Sequence, residues 1–326
     1  MGEAQSDWKT INTGSSILTD KHKVIIIGGP TASGKSGLAV QYAQRNNGII
    51  INADSMQIYN DLPNLTAQPT EEEKQQCPHT LYAILDPAEK CDAAQWRNLA
   101  LKEINRAIDT KQVPILVGGT GFYIKALTEG LSPLPDIPIG IREKTIKLQK
   151  ELGNPKFHAL LSEKDPVMAE RLDPNNTQRL VRSWEVLEAT GKSLAEWQSL
   201  PLIPPPENLE FIFVALMPDR EILYERCNKR FENMVELGIV DEVESFMKKI
   251  KQGIIPEDAS LAKSVGYPEI RDYLQDKINK EEAITLAQQK TRNYAKRQMT
   301  WLRNQVKPEL ILNKPDLDQL IKIIKN

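Results

Sequence analysis

Residues 23–36 read Lys-Val-Ile-Ile-Ile-Gly-Gly-Pro-Thr-Ala-Ser-Gly-Lys-Ser, and this stretch decides the fold. Val24 to Ile27 is an apolar, β-branched run without polar alternation, the pattern of a strand covered on both faces. Gly29, Pro30, Thr31, Ala32, Ser33, Gly34, Lys35 and Ser36 then fill G-x-x-x-x-G-K-[ST] completely. A helical pattern, Ser36–Arg45, opens on the last residue of the motif. Strand, loop and helix in that order is the setting this motif requires. The loop closes backbone N–H groups around phosphate oxygens, and the helix N-terminus adds its positive end. Lys35 neutralises the terminal phosphates, and Ser36 offers a hydroxyl to Mg²⁺. A di- or triphosphate compound is the expected ligand.

Three more runs read as buried strands: Gly48–Asn52, Val113–Val117 and Leu209–Leu216. Helical patterns separate them, and Ala93–Asp109 carries Trp96, Ala100, Ile104 and Ala107 on one stripe. The alternation predicts an α/β fold, a P-loop NTPase-like parallel sheet flanked by helices. Proline clusters at 132–138 and 201–206 mark boundaries. Between them, 141–200 reads as several helices with no strand. The expected organisation is an α/β core, 21–140 and 207–326, carrying an all-helical insertion, 141–206, behind a polar, flexible tail over 1–20. Beyond the fourth strand, helices are expected at Arg220–Leu237, Asp241–Lys251, Leu261–Leu274 and Glu281–Arg303. One core with an insertion accounts for 326 residues better than two tandem domains.

Composition removes other classes. Forty per cent apolar and 26% charged residues exclude disorder, collagen and a membrane bundle. The three cysteines, Cys77, Cys91 and Cys227, form no CxxC pair, so neither a disulfide framework nor a zinc module is expected. The longest early apolar run is too short for a signal-peptide core or a membrane span, which points to a cytoplasmic protein with no membrane partner. Met1-Gly2 with Ser6 matches a myristoylation pattern short enough to arise often by chance. The net charge of −2 shows no whole-chain sign of nucleic-acid binding. Positive charge is local instead. Residues 141–200 hold ten Lys/Arg against nine Asp/Glu, whereas Lys290, Arg292, Lys296, Arg297 and Arg303 share one helical stretch with no acid between 290 and 303.

An ATPase or GTPase usually has an acid ending a neighbouring strand. Here the third strand ends in Val117-Gly118-Gly119-Thr120-Gly121, and the nearest strand-end acid is Asp54. Ligands of open parallel sheets bind outside the carboxyl ends of the strands, so the phosphate loop, Asp54 and Thr120 are expected in one crevice. From the residues alone, Asp54 is a turn or cap residue, an Mg²⁺ ligand or a general base.

Six segments then occur in a telling order: GPTASGKS (29–36), NADSMQIY (52–59), LVGGTGFYIKALTEGLSPLP (116–135), NNTQRLVRSWEVLEATGKS (175–193), KSVGYPE (263–269) and TRNYAKRQMTWLR (291–303). Together they resemble the bacterial tRNA dimethylallyltransferases, also called tRNA isopentenyltransferases. The resemblance implies transfer of a dimethylallyl group from dimethylallyl diphosphate to N6 of adenosine 37 beside the anticodon, with release of pyrophosphate. It makes the phosphate loop a prenyl diphosphate site, with Mg²⁺ as cofactor and Ser36 as its protein ligand. It makes Asp54 the base, Thr120 a contact to the target adenine and Arg230 a catalytic arginine near the pyrophosphate, with Arg220 a weaker candidate. It implies contacts to the tRNA anticodon stem-loop from Asp54, Ser55, Met56, Gln57, Thr120, Arg142, Gln178, Arg179, Leu180, Val181 and Arg182. The target base must leave the stack to reach the crevice. A monomer is expected.

Two segments depart from the family pattern. Leu65-Thr66-Ala67-Gln68-Pro69 lacks a glycine and a basic residue frequent there, and Pro268 replaces a basic residue after Gly266-Tyr267. No Cys/His zinc-finger pattern follows the last basic helix, which disfavours the eukaryotic type. Trp301 shares helical spacing with Tyr294 and Ala287, so core packing is expected of it. His79 and His158 lack ligand spacing, and structural roles are expected of them. The alternatives are a small-molecule kinase using ATP in the same loop, a non-catalytic tRNA-binding protein and an enzyme that prenylates free AMP.

Overall fold

The structure, a computed structural model, describes residues 21–325. The flexible tail expected over 1–20, and the Met1–Ser6 pattern within it, lie outside the described residues.

Six strands form one parallel sheet: β1 (His22–Gly28), β2 (Gly48–Asn52), β3 (His79–Thr80), β4 (Val113–Gly118), β5 (Leu209–Leu216) and β6 (Leu310–Leu312), in the order β3-β2-β4-β1-β5-β6. The first strand of the chain therefore sits inside the sheet. It pairs with β4 through Ile25↔Ile115 to Gly28↔Gly118, and with β5 through His22↔Leu209 to Gly28↔Ala215. Val24, Ile25, Ile26 and Ile27 are all fully buried. Side chains alternate across a strand, so Val24 and Ile26 enter one core with Trp96, Ile104 and Phe246. Ile25 and Ile27 enter the other with Leu38, Tyr42 and Leu320. Hence the unbroken apolar run: both faces of this strand are roofed by helices.

Helix α1 (Lys35–Arg45) follows β1; α2 (Pro63–Thr66), α3 (Glu71–Gln76) and α4 (Ala93–Asp109) lie between β2 and β4; and α5 (Gly121–Thr128) follows β4. Four helices come next: α6 (Ile139–Lys164), α7 (Pro166–Arg171), α8 (Thr177–Thr190) and α9 (Leu194–Ser199). Helix α6 is kinked at Gly153, where φ is 68°, two residues before Pro155. These helices enclose a separate apolar cluster around Phe157, Leu161, Leu180, Trp184 and Leu194. No strand falls within 141–200. The chain enters and leaves this region past an antiparallel bridge in which Leu131 N–H donates to Ile203 O (3.3 Å) and Ile203 N–H to Leu131 O (2.7 Å). After β5 come α10 (Arg220–Glu236), α11 (Ile239–Lys251), a 3₁₀ turn at Ser260–Lys263, α12 (Tyr267–Leu274), α13 (Lys280–Gln305), β6 and α14 (Leu317–Lys325).

Two sequence expectations need correction. The four strands read from the sequence are present, but β3 and β6 extend the sheet at its edges, so the chain beyond β5 is not wholly helical. The helix expected over Leu261–Leu274 is broken, because Gly266 takes φ +97° and helix α12 starts only at Tyr267. Pro268 then stands in the first turn of α12, where its missing N–H costs no hydrogen bond and its fixed φ suits the helix.

Candidate active site

Helix α1 begins with no side-chain cap and no acid in its first turn, so its leading N–H groups remain directed at the loop 29–34. The loop reverses sharply: Gly34 has φ 93° and Ala32 φ 61°. A side chain at Gly29 would meet Ser33 Oγ at 2.7 Å and Leu216 O at 2.8 Å, so only glycine lets the loop lie this close to β5. Lys35 folds back, its Nζ 3.3 Å from Pro30 O, and Ser36 stays exposed.

The carboxyl ends of β2 and β4 meet beside this loop. The Thr120 N–H donates to Ala53 O (3.2 Å), and Thr120 Oγ1 accepts the Ser55 N–H at 2.9 Å. A Cβ on Gly118 would stand 2.1 Å from Ala53 O, so glycine is required for the two strand ends to touch. Asp54 is held from beneath by Asn52, which is fully buried. Asn52 Oδ1 accepts the Asp54 N–H (2.8 Å), and its Nδ2 donates to Asp54 O (3.0 Å) and Leu81 O (2.9 Å). The stack of Trp96 on Tyr123 (4.6 Å) fixes the strand end again, because Trp96 Nε1 donates to Asn52 O. Asp54 Oδ1 accepts the Met56 N–H (2.9 Å); Oδ2 makes no hydrogen bond among the described residues. One oxygen is tethered and the other is available.

Two later helices close the crevice. Arg230 on α10 donates from Nη1 to Thr31 Oγ1 (2.9 Å), and Arg226 reaches Ser33 O at 3.4 Å. Gln298 on α13 is almost fully buried and bridges both walls. Its Oε1 accepts the Thr31 N–H (2.8 Å), and its Nε2 donates to Gly119 O (3.0 Å). Burial pulls the Lys35 ammonium down to about 8, with Arg230 pulling the same way and the Asp54 carboxylate pulling back. Burial also lowers Arg230, again against Asp54. The phenol of Tyr294, on α13, is raised by burial and further by the Asp54 charge. The crevice therefore holds two desolvated cations and one carboxylate, a field that favours an anionic guest.

The sequence-derived residues separate into groups. The loop 29–36, Asp54, Thr120 and Arg230 share the crevice. Ser55 and Gln57 are engaged within the protein, Gln57 Nε2 donating to Thr66 O and Ala67 O, while Met56 packs on the core. Arg220, at the start of α10, lies 5.0 Å over the Tyr224 ring. In the 178–182 run, Gln178 and Arg179 are exposed, but Leu180 is 0% exposed inside the helical cluster. Its side chain cannot touch an external RNA, so its part is to seat the helix. Arg182 and Arg142 converge on Glu185, at 3.5 and 3.9 Å. His79 Nδ1 pairs with Cys77 O and His158 Nε2 with Ala169 O, both structural. Trp301 packs against the Gly121 backbone at the edge of the main core.

Sequence reasoning missed Asn52, Arg226 and Gln298. Asn52 opens the NADS segment, and Gln298 sits amid the basic stretch between Arg297 and Met299; the burial of these two gives them weight.

Among the described residues, no group of three or more His, Cys, Asp or Glu could hold a metal ion, and no helix is long and apolar enough to cross a membrane. The Ser36 hydroxyl is a hard oxygen donor, of the kind Mg²⁺ takes.

Comparison with known proteins is consistent over most of the chain. The family description "IPP transferase" matches residues 57–305. A tRNA dimethylallyltransferase of Paramagnetospirillum magneticum is 47% identical over 300 residues, covering 92% of this chain and 94% of that protein. One of Rhodospirillum centenum is 45% identical over 283 residues, covering 87% and 89%. The full-length tRNA isopentenylpyrophosphate transferase of Bacillus halodurans superposes with a TM-score of 0.62 at 34% identity, covering 94% of each chain. A eukaryotic dimethylallyltransferase acting on tRNA superposes with a TM-score of 0.76 at 26% identity, covering 93% of this chain and 77% of that one.

Proposed function

The chain belongs to the IPP transferase family, and from that premise we propose that it moves a dimethylallyl group from dimethylallyl diphosphate to N6 of adenosine 37 in tRNA, releasing pyrophosphate. The observation that carries the reading is the meeting of a phosphate loop, a half-tethered carboxylate and a desolvated arginine in one crevice.

The chemistry follows from those groups. The exocyclic amine of adenine is a weak nucleophile, because its lone pair is delocalised into the ring. Asp54, with Oδ1 fixed by the Met56 N–H, presents its other oxygen to take the N6 proton as the C–N bond forms. The bond from C1 of the prenyl group to the bridging oxygen breaks, and its electron pair leaves with pyrophosphate. Charge grows on that leaving group, and Lys35, Arg230 and the first-turn amides of α1 are placed to stabilise it. Ser36 would hold an Mg²⁺ ion, whose chemistry there would be to add positive charge at the leaving group. Thr120, one hydrogen bond from the Asp54–Ser55 turn, is placed to orient the incoming base.

Family membership does not favour the kinase alternative, and one experiment separates the two. The protein is incubated with unmodified tRNA, Mg²⁺ and either dimethylallyl diphosphate or ATP. The expected result is prenylated adenosine and one pyrophosphate per transfer, with no ATP turnover. Phosphoryl transfer from ATP without prenylated adenosine would overturn the proposal.

A further inference from the structure

Glu185 is a buried carboxylate that the reaction does not use. It sits on the inner side of α8, 1% exposed, among apolar residues of the helical cluster. Its Oε2 lies 3.5 Å from Arg182 Nη1 on the same helix, and its Oε1 lies 3.9 Å from Arg142 Nε on α6. Oε1 has no hydrogen-bond partner. The two arginine side chains above it are 36% and 48% exposed.

This is a poor design for a structural ion pair. A buried carboxylate is strongly desolvated, and bonded geometry is needed to offset that. Neither arginine is close enough for a normal N–H···O bond, which ends near 3.2 Å. Apolar packing of the same volume would join α6 to α8 at least as well. The loose geometry has another effect. Glu185 neutralises part of the repulsion between the two guanidinium groups without taking up their N–H donors in hydrogen bonds. Two arginines that share one buried anion form a paired fork, a good match for phosphate oxygens.

We propose that Glu185 is a positioning residue for RNA: from beneath, it holds Arg142 and Arg182 together as one guanidinium pair that grips the backbone phosphates of the tRNA substrate. The inference rests on the tRNA reading above and deepens it. Arg142 and Arg182 lie 40 residues apart in the chain, and their convergence is a product of the α6–α8 packing. Glu185 acts through them and touches neither the crevice nor the reacting atoms.

The test uses the full chain, an unmodified anticodon stem-loop RNA and dimethylallyl diphosphate. Glu185→Gln removes the charge and keeps the shape. It should raise KM for RNA by about 5- to 10-fold, leave kcat and KM for the diphosphate within about twofold, and make the dependence of RNA affinity on salt shallower by about one unit of slope. In a chain already carrying Arg142→Ala and Arg182→Ala, the same change should have no further effect. Glu185→Met should melt no lower than the parent and still bind RNA poorly, whereas a structural role predicts a lower melting temperature. Glu185→Asp serves if the other variants do not fold, and should give an intermediate RNA KM. The proposal is overturned if Glu185→Gln leaves RNA KM unchanged, or if its effect persists in full without the two arginines. Prenyl transfer by the parent with no Glu185 effect would overturn this inference alone. Glu185-dependent RNA binding without transfer would leave it standing and overturn the proposed reaction.

Discussion

At the scale of single residues, the crevice depends on groups whose freedom has been removed. Asp54 has one oxygen tied and its backbone clamped by buried Asn52, so its second oxygen faces a fixed direction. Asp54→Asn keeps the shape and the Met56 bond but cannot accept a proton. It should lower kcat by about 10²- to 10⁴-fold while RNA affinity, read by fluorescence anisotropy, stays unchanged. A large loss of binding with normal turnover would rule out the base assignment. Lys35 supplies a pH signature. Its folded value, about 8, lies below the unfolded value of 10.5, so between these limits the unfolded chain holds more protons and stability from this group rises with pH. A diphosphate bound as proposed would restore the charged form. Binding near pH 8.5 should therefore take up a proton and weaken as pH rises further, measurable by titration calorimetry in two buffers of different ionisation enthalpy. Binding without proton uptake would remove Lys35 from the diphosphate site. Gln298→Glu keeps the acceptor for Thr31 but sets a carboxylate against Gly119 O. It should cost about 1–3 kcal/mol of stability, seen in urea melts, and raise KM for the diphosphate.

At the scale of elements, the sequence was most readable where burial was complete. The centres of β1, β2, β4 and β5 are unbroken apolar runs because both faces are covered there. Strands β3 and β6 have two and three residues and lie at the sheet edges, too short for any periodicity to register. Helix α12 was hidden by Gly266, whose positive φ separates two apolar stretches that look continuous on paper. The phosphate loop was legible as a motif. Its lock was not, because Thr31, Gly119 and Gln298 meet only through tertiary packing. Gly118 makes the point testable. Any side chain there would strike the Ala53 backbone at 2.1 Å, so Gly118→Ala must push β2 from β4 at the site. The variant should be less stable by about 1–3 kcal/mol in a denaturant melt and lose most of its turnover.

At the scale of the whole molecule, the near-neutral net charge hides a division of labour. Cations at the crevice are few, with Lys35 and Arg230 half-buried, while α8 and α13 carry exposed arginines and lysines. The helices α6–α9 surround an apolar cluster of their own, and the chain enters and leaves them beside the Leu131–Ile203 bridge. Replacing 137–201 with a short Gly/Ser linker should therefore leave a folded protein that still binds dimethylallyl diphosphate but has lost stem-loop RNA. Circular dichroism and calorimetry read both; retention of full RNA affinity would show that the insertion does not hold the substrate. Sequence patterns exposed the helical content of this region. They did not expose Glu185 beneath Arg142 and Arg182, since a buried acid amid surface charges looks like one more solvated residue.

The Gln298 tie also bears on how the protein is made. The phosphate-loop sequence leaves the ribosome well before α13: the amide that fastens Thr31 to Gly119 arrives 267 positions later, and the strand β5 that completes the pairing of β1 begins only at Leu209. A nascent or truncated chain ending before α13 thus displays the full motif with one wall of its pocket unlatched. Synthesis order therefore leaves the phosphate loop without this tie until the helix bearing the basic stripe has been built.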